Sequence, residues 1–280
     1  MARPRLWVCR EPAPDEDLAF FGLNVHGVMR TVWQNVDHAD DVGQIWTADD
    51  EDGMHWVSDG VERIAVLPPR AFRFFHRGIA SRRHYLVNKY LQRLVSRPVA
   101  GATVINLGAN IGEVAMTMAE YGAHVLAIEP DPNVVPLLCA NTRGRSIDVI
   151  ANAAWNADGP LKLYLNSDHA DTSAFNVSEQ PITVEARRID TLVAERGIGR
   201  VHLLIGDAEG AEPEVLQGAR QTLRSTEYVS LRASAERCGE RTLEACEALL
   251  MAAGFDILHR EETGFCTLIA RNRAYMEKAA

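Results

Sequence analysis

No apolar run in the 280 residues approaches the roughly 18 that a bilayer span needs. The first residues hold no apolar core of a secretory leader, so a cytoplasmic protein without a membrane span is expected. Cysteine is sparse. Cys9, Cys139, Cys238, Cys246 and Cys266 are odd in number and never spaced as Cys-x-x-Cys, which argues against a disulfide framework or a zinc site. Positive charge is short as well: 29 Lys and Arg against 38 Asp and Glu give a net charge of −9, the wrong sign for a nucleic-acid partner. What is present is a chain 47% apolar, enough to bury a substantial core as one large domain or one domain with an appendage.

Residues 103–131 organise the rest. The β-branched run Thr103-Val104-Ile105-Asn106-Leu107 feeds the turn Gly108-Ala109-Asn110-Ile111-Gly112. A helical pattern follows over 113–121, with Gly122 where a left-handed cap is wanted. This is the opening of a βαβ unit. Gly108 and Gly112 let the backbone approach a ligand that a Cβ would keep away. A second strand over 124–128 ends at Glu129, about 20 positions past the glycine turn, where a carboxylate can read ribose hydroxyls. The turn is Gly-x-x-x-Gly. It lacks the denser glycines of a dinucleotide site and the Lys-Ser/Thr of a phosphate loop, so a nucleoside is expected and NAD is disfavoured. The alternative is a structural strand–helix turn with no ligand.

The N-terminal part has a different character. Between residues 11 and 62 there are 13 acidic residues and a single basic one, Arg30. Short alternating segments around Trp33, Trp46 and Trp56 read as strands, with turns at Asp52-Gly53 and Asp59-Gly60. The run Asp49-Asp50-Glu51-Asp52 reads as a solvated loop rather than a cation site. The sign reverses after Pro68-Pro69: residues 70–97 hold eight Lys and Arg and no acid. Tyr85, Leu86, Lys89, Tyr90, Arg93 and Leu94 fall at helical spacing there. Such a segment either faces an anion or neutralises the acidic region before it.

Beyond Glu129 the pattern is alternating α/β. Helices are expected over 136–142, 190–195, 213–223 and 242–253, and strands over 147–151, 182–189, 201–207 and 228–232. Two hairpins are expected, one from 153–159 with 161–165, the other from 256–260 with 265–270. The polar segment 166–173 contains His169 and Asp171, which could serve as base and orienter or contact a substrate. A plain surface loop is the other reading.

Three blocks carry a family resemblance: Asn106-Leu107-Gly108-Ala109-Asn110-Ile111-Gly112-Glu113, Ile128-Glu129-Pro130-Asp131-Pro132 and Asp207-Ala208-Glu209-Gly210-Ala211-Glu212. Together they resemble the signatures of the FkbM-type methyltransferases, over about residues 100–272. The resemblance implies an α/β fold of the Rossmann-like class I methyltransferase kind. That means a mostly parallel seven-stranded sheet with helices on both faces, here with a small β-rich N-terminal extension. It implies S-adenosyl-L-methionine as cofactor and O-methylation of a sugar, glycan or secondary-metabolite hydroxyl. The expected organisation is an accessory region over 1–66, a basic connector or lid over 67–99, the methyltransferase domain over 100–272 and a tail over 273–280. A homo-oligomer is compatible with the sequence.

The cofactor contacts implied are Asn106, Gly108, Asn110, Gly112, Glu129, Pro130, Asp207 and, beside the adenine, Ala153 and Ala154. Methyl transfer to an alcohol also requires alignment of the nucleophile and removal of its proton. Asp207, Glu209 and His169 are the candidates for that work. Arg82, Arg83, Tyr85 and Asp171 are candidates for acceptor contacts, and a basic lid would favour an anionic acceptor. No metal is expected. Three departures stand out: Asn106 where the family has Asp, Ile205-Gly206-Asp207 where it has Lys-Ile-Asp, and Arg232 near a position where an acid is common. They leave open a cofactor-binding relative with altered catalysis, serving as a partner or scaffold subunit. Gly206 inside a buried strand signals close backbone approach or extra room.

Overall fold

A computed structural model describes residues 51, 53–67, 75, 78–165, 172–175, 181–237 and 239–275 in full, and the backbone of the strands between residues 6 and 50. The chain divides into two compact units, Met1–Arg83 and His84–Ala280.

The first unit is an antiparallel meander of six strands in sequence order: β1 (Leu6–Cys9), β2 (Leu18–Val25), β3 (Val28–Asn35), β4 (Ile45–Glu51), β5 (Met54–Ser58) and β6 (Arg63–Val66). Asp49 and Asp50 pair in register with Trp56 and His55, so residues 49–51 of the acidic run belong to β4 and not to a loop. The β5–β6 turn is built by Asp59. Its Oδ1 accepts the N–H groups of Val61 and Glu62 at 3.0 and 2.8 Å, and its Oδ2 accepts the N–H of Ile79 at 2.8 Å. That last bond satisfies a donor at the start of α1 (Ile79–Leu91), where a carboxylate is favoured.

The second unit follows the expected alternation: β7 (Thr103–Leu107), α2 (Glu113–Glu120), β8 (His124–Ile128), α3 (Val135–Thr142) and β9 (Ile147–Ile150). Then come β10 (Ala153–Ala154), β11 (Gly159–Tyr164), β12 (Pro181–Arg187), α4 (Ile189–Glu195), β13 (Val201–Gly206) and α5 (Glu212–Gly218). The chain closes with β14 (Thr226–Arg232), α6 (Leu243–Ala252), β15 (Phe255–Arg260) and β16 (Thr267–Asn272).

Seven of these strands make one sheet in the order β15-β16-β14-β13-β7-β8-β9. Five run parallel from β9 to β14, and β16 is antiparallel to both its neighbours. This is the class I methyltransferase arrangement of the Rossmann-like fold.

The 153–165 segment differs from expectation. β10 pairs in parallel with β12, and β11 pairs antiparallel with β12, so the hairpin is β11–β12 in a separate three-stranded sheet. The period-2 pattern showed two strands but could not show their partners, because pairing depends on contacts distant in sequence.

Side chains alternate across the main sheet and feed two cores. Ile105, Leu107, Leu126, Ile128, Leu204, Val229 and Leu231 pack with α4, α5 and α6. On the other face Val104, Val125, Ala127, Leu203, Ile205 and Tyr228 pack with α2, Leu138 of α3 and the last turns of α1 (Val87, Tyr90, Leu91). At the carboxyl ends of this second face the rows turn polar, from Val104 to Asn106 and from Tyr228 through Ser230 to Arg232. Ser230 Oγ donates to the Tyr90 carbonyl at 2.6 Å and pins α1 there. The chain reverses its direction of travel along the sheet between β7 and β13, and ligands of open α/β folds bind at the carboxyl ends beside such a switch point.

Candidate active site

The glycine turn is held by the acid that follows it. Glu129, only 6% exposed, accepts the Asn110 N–H on Oε2 at 2.8 Å and the Asp131 N–H on Oε1 at 2.9 Å. A carboxylate taking two backbone N–H groups locks the head of β8 to the loop after β7, through charge-assisted bonds. Asp131 continues the chain of contacts, accepting from the Thr172 hydroxyl at 3.1 Å. At the next position, Ser173 Oγ donates to the Glu209 carbonyl at 2.9 Å. The Thr172-Ser173 pair therefore ties the β8 end of the cleft to the β13 end.

Beside the glycine turn, Asn106 is 1% exposed. Its amide nitrogen donates to the carbonyls of Leu107 and Ile205 at 3.2 and 3.4 Å, while its Oδ1 is buried and takes no hydrogen bond among the described residues. A buried, unmatched acceptor at the switch point fits a ligand that brings its own N–H donors, such as the ammonium of an amino-acid moiety.

The heads of β7 and β13 meet backbone to backbone. A Cβ on Gly206 would lie 2.1 Å from the Leu107 carbonyl oxygen, and one on Gly108 would lie 2.3 Å from that of Asp207. Gly206, at φ +141°, is thus explained by close approach and not by extra room.

Asp207 follows at the mouth of β13. Its Oδ1 accepts the Glu209 N–H at 3.0 Å, and its Oδ2 accepts from Arg232 Nη1 at 2.7 Å. The same guanidinium nitrogen reaches Glu236 Oε1 at 2.6 Å. Burial opposes the charge of Arg232, but Asp207 and Glu236 outweigh it and raise its pKa. Asp207, Glu209 and Glu236 bring carboxylate oxygens within 4.8 Å of one another. Asp207 and Glu236 already share a cation, Arg232.

Burial, with the charge of Asp207 added, raises the carboxyl of Glu236 to about 7. Glu212, fully buried beneath the cluster, is raised to about 7 by burial first and then by Asp207. The Tyr90 phenol is pushed up by burial and by the charge of Asp207. Its ring meets Phe265 edge-on at 5.1 Å, and Lys89 Nζ and the Arg232 guanidinium lie 4.6 and 5.4 Å from that same Phe265 ring.

The family model for the FkbM methyltransferase domain matches residues 106–256, which contain the glycine turn, Glu129, Asp207 and Arg232. The chain belongs to the FkbM methyltransferase family. It is 25% identical over 222 residues to 2-O-methyltransferase NoeI of Sinorhizobium fredii (strain NBRC 101917 / NGR234), covering 70% of this chain and 89% of that protein. Among solved structures, the fibrillarin pre-rRNA processing protein of Methanococcus jannaschii is 13% identical over 97% of this chain and 98% of its own, with a TM-score of 0.44. Magnesium protoporphyrin IX methyltransferase (ChlM) from Synechocystis PCC 6803 with bound SAM is 13% identical over 69% and 77%, with a TM-score of 0.40.

The other expected site residues are placed as follows. Pro130 lines a groove of about 600 Å³ with Pro132, Val135, Pro136, Ala151 and Ile182. Ala153 is buried against Leu163 and Ala186 of the small sheet, and Ala154 is half-buried. Tyr85 is 51% exposed, with Lys89 Nζ 4.7 Å from its ring. Arg82 and Arg83 belong to the first unit, where Arg83 is 2% exposed and donates to Glu62 Oε1 at 2.7 Å. His169 and Asp171 lie outside the described residues.

Sequence reasoning missed Glu236 and the role of Tyr90. The i, i+4 pair Arg232 and Glu236 was a visible signal, but the loop after β14 has no periodicity to aim it. What aims it is Gly210, at φ +93°: a Cβ there would stand 3.1 Å from the Arg237 nitrogen and 3.2 Å from the Glu236 carbonyl carbon. The bare glycine lets the Glu236-Arg237 peptide lie against the turn after β13, where the Gly210 carbonyl accepts from Arg237 Nε and Nη2 at 3.0 and 2.8 Å.

Proposed function

We propose that this FkbM-family methyltransferase uses S-adenosyl-L-methionine to methylate a hydroxyl of a sugar, glycan or secondary metabolite. The observation that carries the reading is the junction at the switch point. A buried acceptor without a donor (Asn106 Oδ1) and a glycine turn gripped by Glu129 stand on β7 and β8, with a carboxylate cluster on the adjacent β13. The likeness to NoeI, a 2-O-methyltransferase, supports oxygen as the nucleophile.

In this reading the Gly108 to Gly112 turn and Asn106 hold the amino-acid part of the cofactor, and Glu129 takes the ribose hydroxyls. Pro130, Ala153 and Ala154 border the base. The cofactor supplies an electrophilic methyl group on a sulfonium. Asp207, held in place by Arg232, orients the acceptor by receiving a hydrogen bond from its hydroxyl. Glu209 shapes the acid wall beside it, and Tyr85, His169 and Asp171 contribute to the acceptor side. Lys89, which makes no ion pair among the described residues, suits an acceptor that bears an anionic group.

The test is incubation with methyl-labelled cofactor and a panel of glycans and hydroxylated metabolites, with the product then treated with alkali. Label in an ether survives alkali, and that is the expected result. Alkali-labile label would mean a carboxyl ester and would refute hydroxyl transfer. Cofactor binding with no transfer to any acceptor would favour a binding relative acting as a scaffold subunit.

A further inference from the structure

Lys89 is a cation without an anion. Its ammonium lies 4.7 Å from the centre of the Tyr85 ring and 4.6 Å from that of Phe265, and it makes no ion pair or hydrogen bond among the described residues. Aromatic faces attract an ammonium but hold no net charge, so the positive charge stays unbalanced. Acids are not scarce in a chain of net charge −9, but those of the neighbouring elements are engaged elsewhere. In the loop that bears Phe265, Glu262 pairs with Arg260, and Glu261 accepts the Thr267 N–H at 3.3 Å. Asp207 and Glu236 are paired with Arg232, and α1 itself carries no acid. The ring of Phe265 joins this cation to the acid cluster. Tyr90 meets it edge-on at 5.1 Å, and the Arg232 guanidinium, bonded to Asp207 at 2.7 Å, lies 5.4 Å from its centre. Tyr85 and Lys89, four residues apart, share one stripe of α1 beside it. Phe265 is aimed there by a strained neighbour: Cys266 has φ +55°, a left-handed conformation unfavourable for a residue with a Cβ, and its carbonyl is fixed by the Ala233 N–H at 3.0 Å. Strain of this kind is kept where it orients a side chain for use.

Resting on the hydroxyl-methylation reading above, we propose that Tyr85, Lys89 and Phe265 form a subsite that selects an acidic sugar as the acceptor. Lys89 donates to a carboxylate, sulfate or phosphate on that sugar, the flat C–H face of the sugar ring lies on Tyr85, and the hydroxyl to be methylated reaches Asp207 past Phe265. Tyr85 is 51% exposed, an open apolar ring beside a fixed charge, which complements a molecule with one C–H face and one anionic edge. Lys89 is half-buried, so a pair formed there is screened less by salt than one in open solvent. The two rings already restrict its ammonium, and less side-chain freedom remains to be lost on binding. The anion-binding part expected of the basic segment thus falls to Lys89, since Arg83 is paired with Glu62.

The test is binding by the full chain, with and without S-adenosyl-L-homocysteine, of oligosaccharides that bear a uronate, a sulfate ester or a phosphate ester, each beside its uncharged counterpart. Ligand-observed NMR titration gives both affinities of each pair, and the three arms tell carboxylate, sulfate and phosphate apart. At least one acidic class should bind more tightly than its counterpart by roughly tenfold or more. In Lys89→Gln that preference should disappear, together with its decline in added salt. In Lys89→Arg, which keeps the charge, it should survive. The readout is a ratio of two affinities on one preparation, so a loss of folded protein cannot mimic the change. A wild type with no preference for any acidic class, or a preference that Lys89→Gln retains, overturns the proposal. Binding needs no turnover, so the two readings fail separately. A preference lost with Lys89, in a protein that methylates none of the panel, supports the subsite and speaks against the hydroxyl reading. Methylation of neutral glycans that Lys89→Gln leaves untouched supports the hydroxyl reading and overturns the subsite.

Discussion

Replacing Glu129 by alanine takes away the acceptor of two backbone N–H groups at once, those of Asn110 and Asp131, bound at 2.8 and 2.9 Å. Leaving a buried donor unmatched costs about 1–3 kcal/mol. Asn110 is half-buried and can recruit water, whereas Asp131 is 1% exposed and cannot. Taking the lower end for the first and the middle for the second gives a loss of about 3 kcal/mol in unfolding free energy. For a unit of this size that is a fall of roughly 6–12 °C in melting temperature. Cofactor affinity should drop at least about tenfold in the same variant, because the carboxylate proposed to meet the ribose is gone. Glu129→Gln separates the two effects. Its single amide oxygen can serve one of the two N–H groups, and its amide nitrogen faces the other, so about half the stability loss persists while the charge is lost entirely. Urea unfolding and calorimetric titration of the cofactor measure both quantities on one preparation. If affinity falls in the alanine variant while stability stays at the wild-type value, the grip of Glu129 on the glycine turn does not exist in the free protein. If neither changes, the cofactor site is elsewhere.

Glu212 gives a pH prediction with a definite sign. Its carboxyl is raised to about 7 in the folded chain against 4.5 when unfolded, so the native state binds the extra proton between those values. The stabilisation it provides is full below about 4.5 and is lost as pH rises through about 7, by on the order of 3 kcal/mol. Glu212→Gln keeps an oxygen for the Ala208 and Gly210 N–H groups and lets the Thr242 hydroxyl accept instead of donate. It should therefore flatten that slope in urea unfolding run from pH 5 to 8, and an unchanged slope would count against the buried carboxyl as its source. Arg83→Ala strips the partner from Glu62, and should destabilise the first unit by about 3 kcal/mol in scanning calorimetry, the lower end for a broken buried pair because Glu62 is 29% exposed. A loss below about 1 kcal/mol would show the pair to be worth no more than a surface one.

The parts of the fold that depend on short-range pattern were readable in the sequence. β7, β8 and β13 sit on their apolar runs, and Gly122 and Gly254 adopt the left-handed φ values of +93° and +92° that end α2 and α6. What could not be read were facts about pairing at a distance. β12 has the same alternation as a core strand, yet it joins β10 and β11 in a sheet of their own. The acidic run at residues 49–52 looked like a loop because charge dominates it, but register with β5 carries residues 49–51 into a strand. At the candidate site, Glu129 announced itself by its distance from the glycine turn. Arg232 looked like a departure from the family pattern, and only its contacts reveal a cation shared between Asp207 and Glu236. Glu236 stands in a loop whose path is set by the missing Cβ of Gly210, information that the glycine alone does not give.

The seating of the Leu107 carbonyl against Gly206 makes the tips of two strands a single rigid datum. One side of it carries the loop proposed for the methyl donor, and the other carries the acids proposed for the acceptor. The gap between donor and acceptor is then a property of main chain rather than of side chains, and no loop substitution can retune it. Variation at Tyr85, over residues 172–175 or over 233–240 would change which molecule is offered to the methyl group while preserving how far the group must travel. A side chain introduced at residue 206 or 108 would alter that distance for every acceptor alike. Directed evolution of this enzyme toward a new substrate should therefore leave those two glycines fixed and spend its diversity on the rim.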